Sequence, residues 1–171
     1  MPTTFYDPAG VNTAGKSQIG VVTAIADIEK PTLTELSAGT AFECAIESFG
    51  LTISASSTSR KKLCDLVATK TPGNSEYDDL EFSFVLDDPQ AASQPLLDKF
   101  TTGSTVYLYH RPGEDHDTAI ATGDMVQVIK GKVMKRQLDQ VTTDEGQEYS
   151  ATVTIAPSEG TDILVAVVAG A

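Results

Sequence analysis

Strict alternation of apolar and polar side chains marks the clearest elements of this chain. Leu80, Phe82 and Phe84 fall on one side and Glu81, Ser83 and Val85 on the other, while Tyr149, Ala151, Val153 and Ile155 oppose Glu148, Ser150, Thr152 and Thr154. Successive side chains of a strand point to opposite faces, so each run predicts a half-buried strand. The β-branched run 19–25 predicts another. Phe42, Cys44 and Ile46, alternating with Glu43, Ala45 and Glu47, predict a strand that carries Cys44 into the core. A further strand is expected over 104–110 with Val106 and Leu108 inward, and a short one over 118–122. The stretch from Met125 to about Leu138 reads as a strand whose phase slips between Val128 and Ile129, which predicts a bulge near Gly131. Turn residues Thr143, Asp144, Glu145 and Gly146 fold 125–156 into a long hairpin. Pro157, Ser158, Glu159 and Gly160 predict a last turn, and the continuous apolar run 163–168 a central strand covered on both faces.

Only one stretch carries the helical period. Asp88 is suited to cap a helix with Pro89 at its first position, and Ala92, Leu96 and Phe100, with Leu97 beside them, form one apolar stripe ending near Thr102 and Gly103. Pro95 interrupts it, because a mid-helix proline lacks the N–H and crowds the preceding turn, so Ser93 is a second capping point for a shorter helix. Residues 55–74 are rich in Ser and Thr, carry Arg60, Lys61 and Lys62, and end at Thr71, Pro72, Gly73 and Asn74. That reads as a long polar loop after the early strands, and loops of this length are commonly functional. Residues 1–18, with Pro2, Pro8, Gly10 and Gly15 and no sustained period, read as an extended arm, leaving 19–171 as one domain. The fold class is therefore mainly β: a β-sandwich or split barrel of seven or eight strands with one short flanking helix.

Length agrees, since 171 residues is the size of a single core. Charge narrows the function. Twelve Lys and Arg against 24 Asp and Glu give −12 with both histidines neutral, which disfavours wrapping nucleic acid or lying on an anionic membrane. No run approaches the roughly 18 apolar residues of a membrane span, and the start lacks a basic end followed by an apolar stretch, so neither a membrane protein nor signal-directed export is expected. Cys44 and Cys64 are expected to be free thiols of a reducing compartment.

Chemistry is sparse. Phosphate-binding, dinucleotide, nucleophile-elbow and zinc-protease motifs are all missing from the sequence, so no enzyme, no catalytic residue and no cofactor is expected. His110, Arg111, Pro112, Gly113, Glu114, Asp115, His116 and Asp117 place two imidazoles and three carboxylates within eight residues, a set that could ligate a divalent ion. Their spacing is not that of a zinc half-site and Pro-Gly with acidic neighbours is ordinary turn chemistry, so a plain turn is the preferred reading and no metal is assigned. Asp78, Asp79, Glu81, Asp87 and Asp88 are better explained as strand flanks and a helix cap than as an acid/base pair. Arg60, Lys61 and Lys62 lack interleaved aromatics and sit on an acidic chain, so a protein partner's acidic surface suits them better than nucleic acid.

Ser59, Arg60, Lys61, Lys62 and Leu63 in the long loop, Phe82 to Leu86 leading into the helix, and Thr105 to Arg111 followed by Ala121, Thr122, Gly123, Asp124 and Val126 stand in a characteristic order. This order resembles the major tail tube protein of long-tailed bacteriophages over roughly residues 15–170. The resemblance implies a structural virion protein, six copies closing into rings that stack into a tube, assembled in the host bacterial cytoplasm. Its implied partners are further copies of itself and the tape measure, tail terminator and tail-tip proteins, with viral DNA passing through without specific binding. It implies Ser59, Arg60, Lys61 and Lys62 as inter-ring contacts, and Ala92, Leu96, Leu97 and Phe100 as a helix packed between subunits. Related ring or tube components, namely a tail terminator or a type VI secretion tube protein, and a bacterial surface β-sandwich that binds a ligand are the alternative readings.

Overall fold

The computed structural model describes residues 13–60, 69–86, 90, 94–140, 148–161 and 163–170. Among these, nine strands are present: β1 Ser17–Val22, β2 Thr40–Ala41, β3 Ile53–Arg60, β4 Thr69–Tyr77, β5 Leu80–Val85, β6 Thr105–Pro112, β7 Met125–Leu138, β8 Ser150–Gly160 and β9 Val165–Ala166. One α-helix, α1 (Leu33–Ser37), accompanies them. Six strands hydrogen-bond in the order β2-β1-β6-β7-β8-β5, and β9 pairs with the start of β7. β3 and β4 form a separate two-stranded ribbon.

β7 makes the sheet curl. Its first half pairs with β6, its second half with β8, and register shifts fall at Lys130/Gly131 and Val133/Lys135. Each bulge adds an unpaired residue and increases local twist, so one long strand turns from one part of the sheet into the other. A Cβ on Gly131 would lie 2.5 Å from Ile155 Cγ2 and 2.9 Å from the Ala156 carbonyl oxygen, so the bulge needs glycine there. An isolated bridge between Ile46 and Phe84 links β5 back to the chain beyond β2, bringing the two ends of the sheet together around the core.

The alternations decide what is enclosed. Leu80, Phe82, Phe84, Ala151, Val153, Ile155, Val106 and Leu108 all point into the main core with Ile19, Val21, Phe42 and Phe100. Phe42, Phe82, Phe84 and Phe100 pack ring against ring, with centroids 5.6 to 6.1 Å apart between Phe42 and Phe82, Phe82 and Phe100, and Phe84 and Phe100. A second cluster, Val22, Ile25, Leu36, Tyr109, Val126, Val128 and Val167, covers the outer face beneath α1 and the C-terminal segment.

Several elements differ from the pattern. The residues at 42–46 are not a strand: Glu43–Ala45 is one 3-10 turn, and Cys44 is exposed. Phe42 and Ala45 are three apart, the spacing that shares one side of a 3-10 turn, so the apolar positions still reach the core while Cys44 turns outward. α1 was not expected; Thr32 caps it, its Oγ1 accepting the Glu35 N–H at 3.2 Å while Glu35 Oε2 accepts the Thr32 N–H at 2.9 Å. The long polar loop is largely the β3–β4 ribbon. The expected helix after Asp88 is, over the described residues, a single 3-10 turn at Leu97–Lys99 directly beyond Pro95, while Asp88, Pro89, Ala92 and Ser93 lie outside the described residues. Residues 118–122 form no strand, and Pro157 to Gly160 continue β8 where a turn was expected. Pro157 stands opposite the Gly131 bulge, where a residue without an N–H is tolerated. The run 163–168 is no covered central strand: β9 is two residues long and Ile163 is 77% exposed.

Candidate assembly surfaces

The β3–β4 ribbon is antiparallel from Ile53↔Tyr77 to Arg60↔Thr69, with an irregularity between Ala55 and Ser57. Its base is tied down: the Tyr77 hydroxyl donates to the Gly160 carbonyl at 3.1 Å, the Asp78 N–H to the Thr52 carbonyl at 3.0 Å, and Ser54 Oγ to both Asp78 carboxylate oxygens. Beyond that base every described side chain from Ile53 to Ser59, and from Pro72 to Glu76, is exposed. A two-stranded ribbon with no buried face is marginal in water, so among the described residues only the contacts at its base favour its ordering.

At the outer end Ser59 pairs with Lys70 and Arg60 with Thr69. Lys61 and Lys62 lie outside the described residues. Ser59 and Arg60 thus stand on a strand, and Lys70 joins them. Lys70 was missed because a loop reading carries no register; the β-branched Thr52, Ile53 and Thr58 flanking and within the Ser-rich run were the available signal for a strand.

Of the residues expected to pack between subunits, Phe100 is 0% exposed and lies inside the main core. Leu96 and Leu97 are partly buried against the same core, and Ala92 is outside the described residues. Among the described residues of this set, a neighbour can touch what Leu96 and Leu97 leave open.

Arg111 organises the turn after β6. It is 1% exposed; Nη1 donates to the Ala119 carbonyl at 3.2 Å and Asp124 Oδ2 at 2.8 Å, and Nη2 to the Thr118 carbonyl at 2.5 Å and the Asp115 carbonyl at 3.3 Å. The guanidinium fork therefore fixes residues 115–124 by their own backbone, which is why these residues need no strand partner. The Ala121 N–H, followed by the Arg111 guanidinium, holds the Asp124 carboxyl below the usual range.

The two histidines of this stretch separate. His110, on β6, lies 3.3 Å from Ser17 Oγ with the Phe49 ring against it, and burial lowers its pKa. His116 reaches across to the 3-10 turn, its Nδ1 standing 3.9 Å from Cys44 Sγ and 3.9 Å from Glu43 Oε1. Asp115 pairs with Lys16 at 2.5 Å. Among the described residues Glu114, Asp115 and Asp117 form no three-ligand cluster with the imidazoles.

This geometry contains a curled sheet and a ribbon whose described side chains beyond its base are exposed. Comparison with known proteins gives the context for such a shape. A family model described as phage tail tube protein matches residues 6–170. The chain belongs to that family. No curated protein sequence matches it significantly. A chain of the cryo-EM structure of the anti-feeding prophage baseplate, 6-fold symmetrised, is similar in fold, with a TM-score of 0.55 at 10% identity, covering 92% of this chain and 96% of that one. The chain is thus a structural phage tail component, mainly β, with one short α-helix among its described residues.

Proposed function

We propose that this chain is the subunit of a homohexameric ring, and that rings stack into the tail tube through which the genome is delivered. The carrying observation is the β3–β4 ribbon: a family built for assembly explains an ordered ribbon whose described side chains beyond the base are all exposed. In the stack the ribbon reaches the adjacent ring, and Ser59, Arg60, Lys61 and Lys62, joined by Lys70, meet acidic residues there. Charge complementarity of this kind sets register more than affinity. What Leu96 and Leu97 leave exposed faces the neighbour within the ring, and residues 1–18, of which Ser17 and Gln18 already stand on β1, act as an arm on the domain 19–171.

The excess of 12 negative charges suits the conduit role, because a lumen bearing part of it repels DNA phosphates and lets the genome slide. Such a subunit acts by shape and charge, without catalysis. Its working partners are its own copies and the tape measure, terminator and tail-tip proteins, in a virion tail assembled in the host cytoplasm.

Electron microscopy of the purified protein at high concentration, with light scattering for mass, tests this. Hollow tubes are expected, and replacing residues 56–74 by a short turn is expected to leave thermal unfolding in place while tubes no longer elongate. Rings that never stack would make the chain a discrete ring component, and a strict monomer at high concentration would overturn the reading.

A further inference from the structure

We infer that Glu43, Cys44 and His116 form a binding site for a borderline-soft divalent cation of the zinc class. Their donor atoms, a carboxylate oxygen, a thiol sulfur and an imidazole nitrogen, all lie within 4.8 Å of one another. Zinc takes sulfur at about 2.3 Å and nitrogen or oxygen at about 2.0 to 2.2 Å, so the edges of its tetrahedron are about 3.3 to 3.6 Å long. The 3.9 Å separations from His116 Nδ1 to Cys44 Sγ and to Glu43 Oε1 need only a few tenths of an ångström of contraction. Sulfur, nitrogen and oxygen together select zinc over magnesium or calcium, which prefer oxygen alone.

The site is held from behind. Glu43 Oε2 accepts the Ile19 N–H at 3.3 Å, which leaves Oε1 toward His116, and the His116 N–H donates to the Gly15 carbonyl at 3.0 Å, fixing the turn that presents the ring. Outer contacts of this kind orient the ligands of a metal site. The 3-10 turn brings adjacent residues Glu43 and Cys44 to the same imidazole, which explains why Cys44 leaves the core position that its apolar neighbours suggest. Thiolate and carboxylate carry two negative charges, matching a divalent ion. Cys44 is exposed and the His116 side chain is 44% exposed, at the edge of a cleft of about 490 Å³ that Thr13, Ser17 and His110 also line. A fourth position is therefore open to water or to a group from another molecule, as in three-ligand zinc sites. Binding displaces the thiol proton to solvent.

The inference is independent of the tube reading and is tested on the full reduced chain. Titration with Co²⁺ is expected to saturate at one ion per chain with a near-ultraviolet thiolate-to-cobalt charge-transfer band, and added Zn²⁺ to abolish it. Cys44→Ser should remove the band while Cys64→Ser keeps it. His116→Ala and Glu43→Gln should weaken binding by at least about 10- to 100-fold, the range that loss of an outer contact alone produces. Circular dichroism on each variant checks that the fold is kept. Absence of saturable binding to the unmodified chain, or a band that survives Cys44→Ser or vanishes in Cys64→Ser, would overturn the assignment.

Discussion

Arg111 Nη1 and the Ala121 N–H share one acceptor, Asp124 Oδ2, at 2.8 and 2.9 Å. The pair joins the end of β6 to the residue just before β7, so a buried cation and a short turn set where the longest strand begins. Without it Arg111 would be a buried charge with no ionic partner, a costly state.

Asp124→Asn is expected to destabilise the subunit by about 2 kcal/mol, since it weakens charge-assisted bonds to a buried guanidinium. The sign of its pH dependence follows from the lowered pKa of Asp124. Stability from a carboxylate depressed in the folded state is complete above its unfolded value, about 3.9, and is lost as pH falls through the folded value. Urea unfolding across acidic pH should show a loss in the parent that is shallower in the variant.

Gly20 and Tyr109 face each other across β1 and β6. A Cβ on Gly20 would stand 2.5 Å from three atoms at the outer end of the Tyr109 ring. Gly20→Ala should therefore cost about 1 to 3 kcal/mol by overpacking. In Gly20→Ala/Tyr109→Leu the two costs should fall short of additive, because the shortened side chain removes the clash; strict additivity in a double-mutant cycle would argue that the strand simply shifts.

Legibility in the sequence followed the length of the repeating signal. The β5 and β8 alternations were readable because Leu80, Phe82, Phe84, Ala151, Val153 and Ile155 all serve one core. The Gly131 bulge was readable because it breaks such a period. Short elements hid: α1 has five residues, and only the Thr32 and Glu35 capping box announced it. At 42–46 the strand and 3-10 readings place Phe42 inward alike, so the pattern could not assign Cys44. The meeting of Glu43 and Cys44 with His116 spans more than 70 residues and depends on β1 pairing with β6, a tertiary fact that no local period encodes.

His110 gives a second pH effect. Burial lowers its pKa, so the folded chain favours the neutral ring. Stability from this group is present above the unfolded value, about 6.5, and is lost as pH falls through the lower folded value. His110→Asn should flatten the fall in unfolding free energy that sets in as pH drops below about 6.5, above the range in which Asp124 acts. Hydrogen-exchange or urea data with an unchanged slope in the variant would assign the dependence to other groups.

The segment after Pro95 separates core from interface. Phe100→Ala removes a ring packed on Phe42, Phe82 and Phe84, and a buried aromatic truncation costs about 3 to 5 kcal/mol, so assembly should fail because the subunit unfolds. Leu97 is only partly buried against that core, so Leu97→Ala should cost less than the roughly 2 to 5 kcal/mol of a fully buried leucine. If Leu97 also packs on a neighbour, its truncation will weaken ring association well beyond what the small drop in melting temperature accounts for. Association that falls only in step with melting temperature would place Leu97 wholly in its own core and leave the ring contact to other residues.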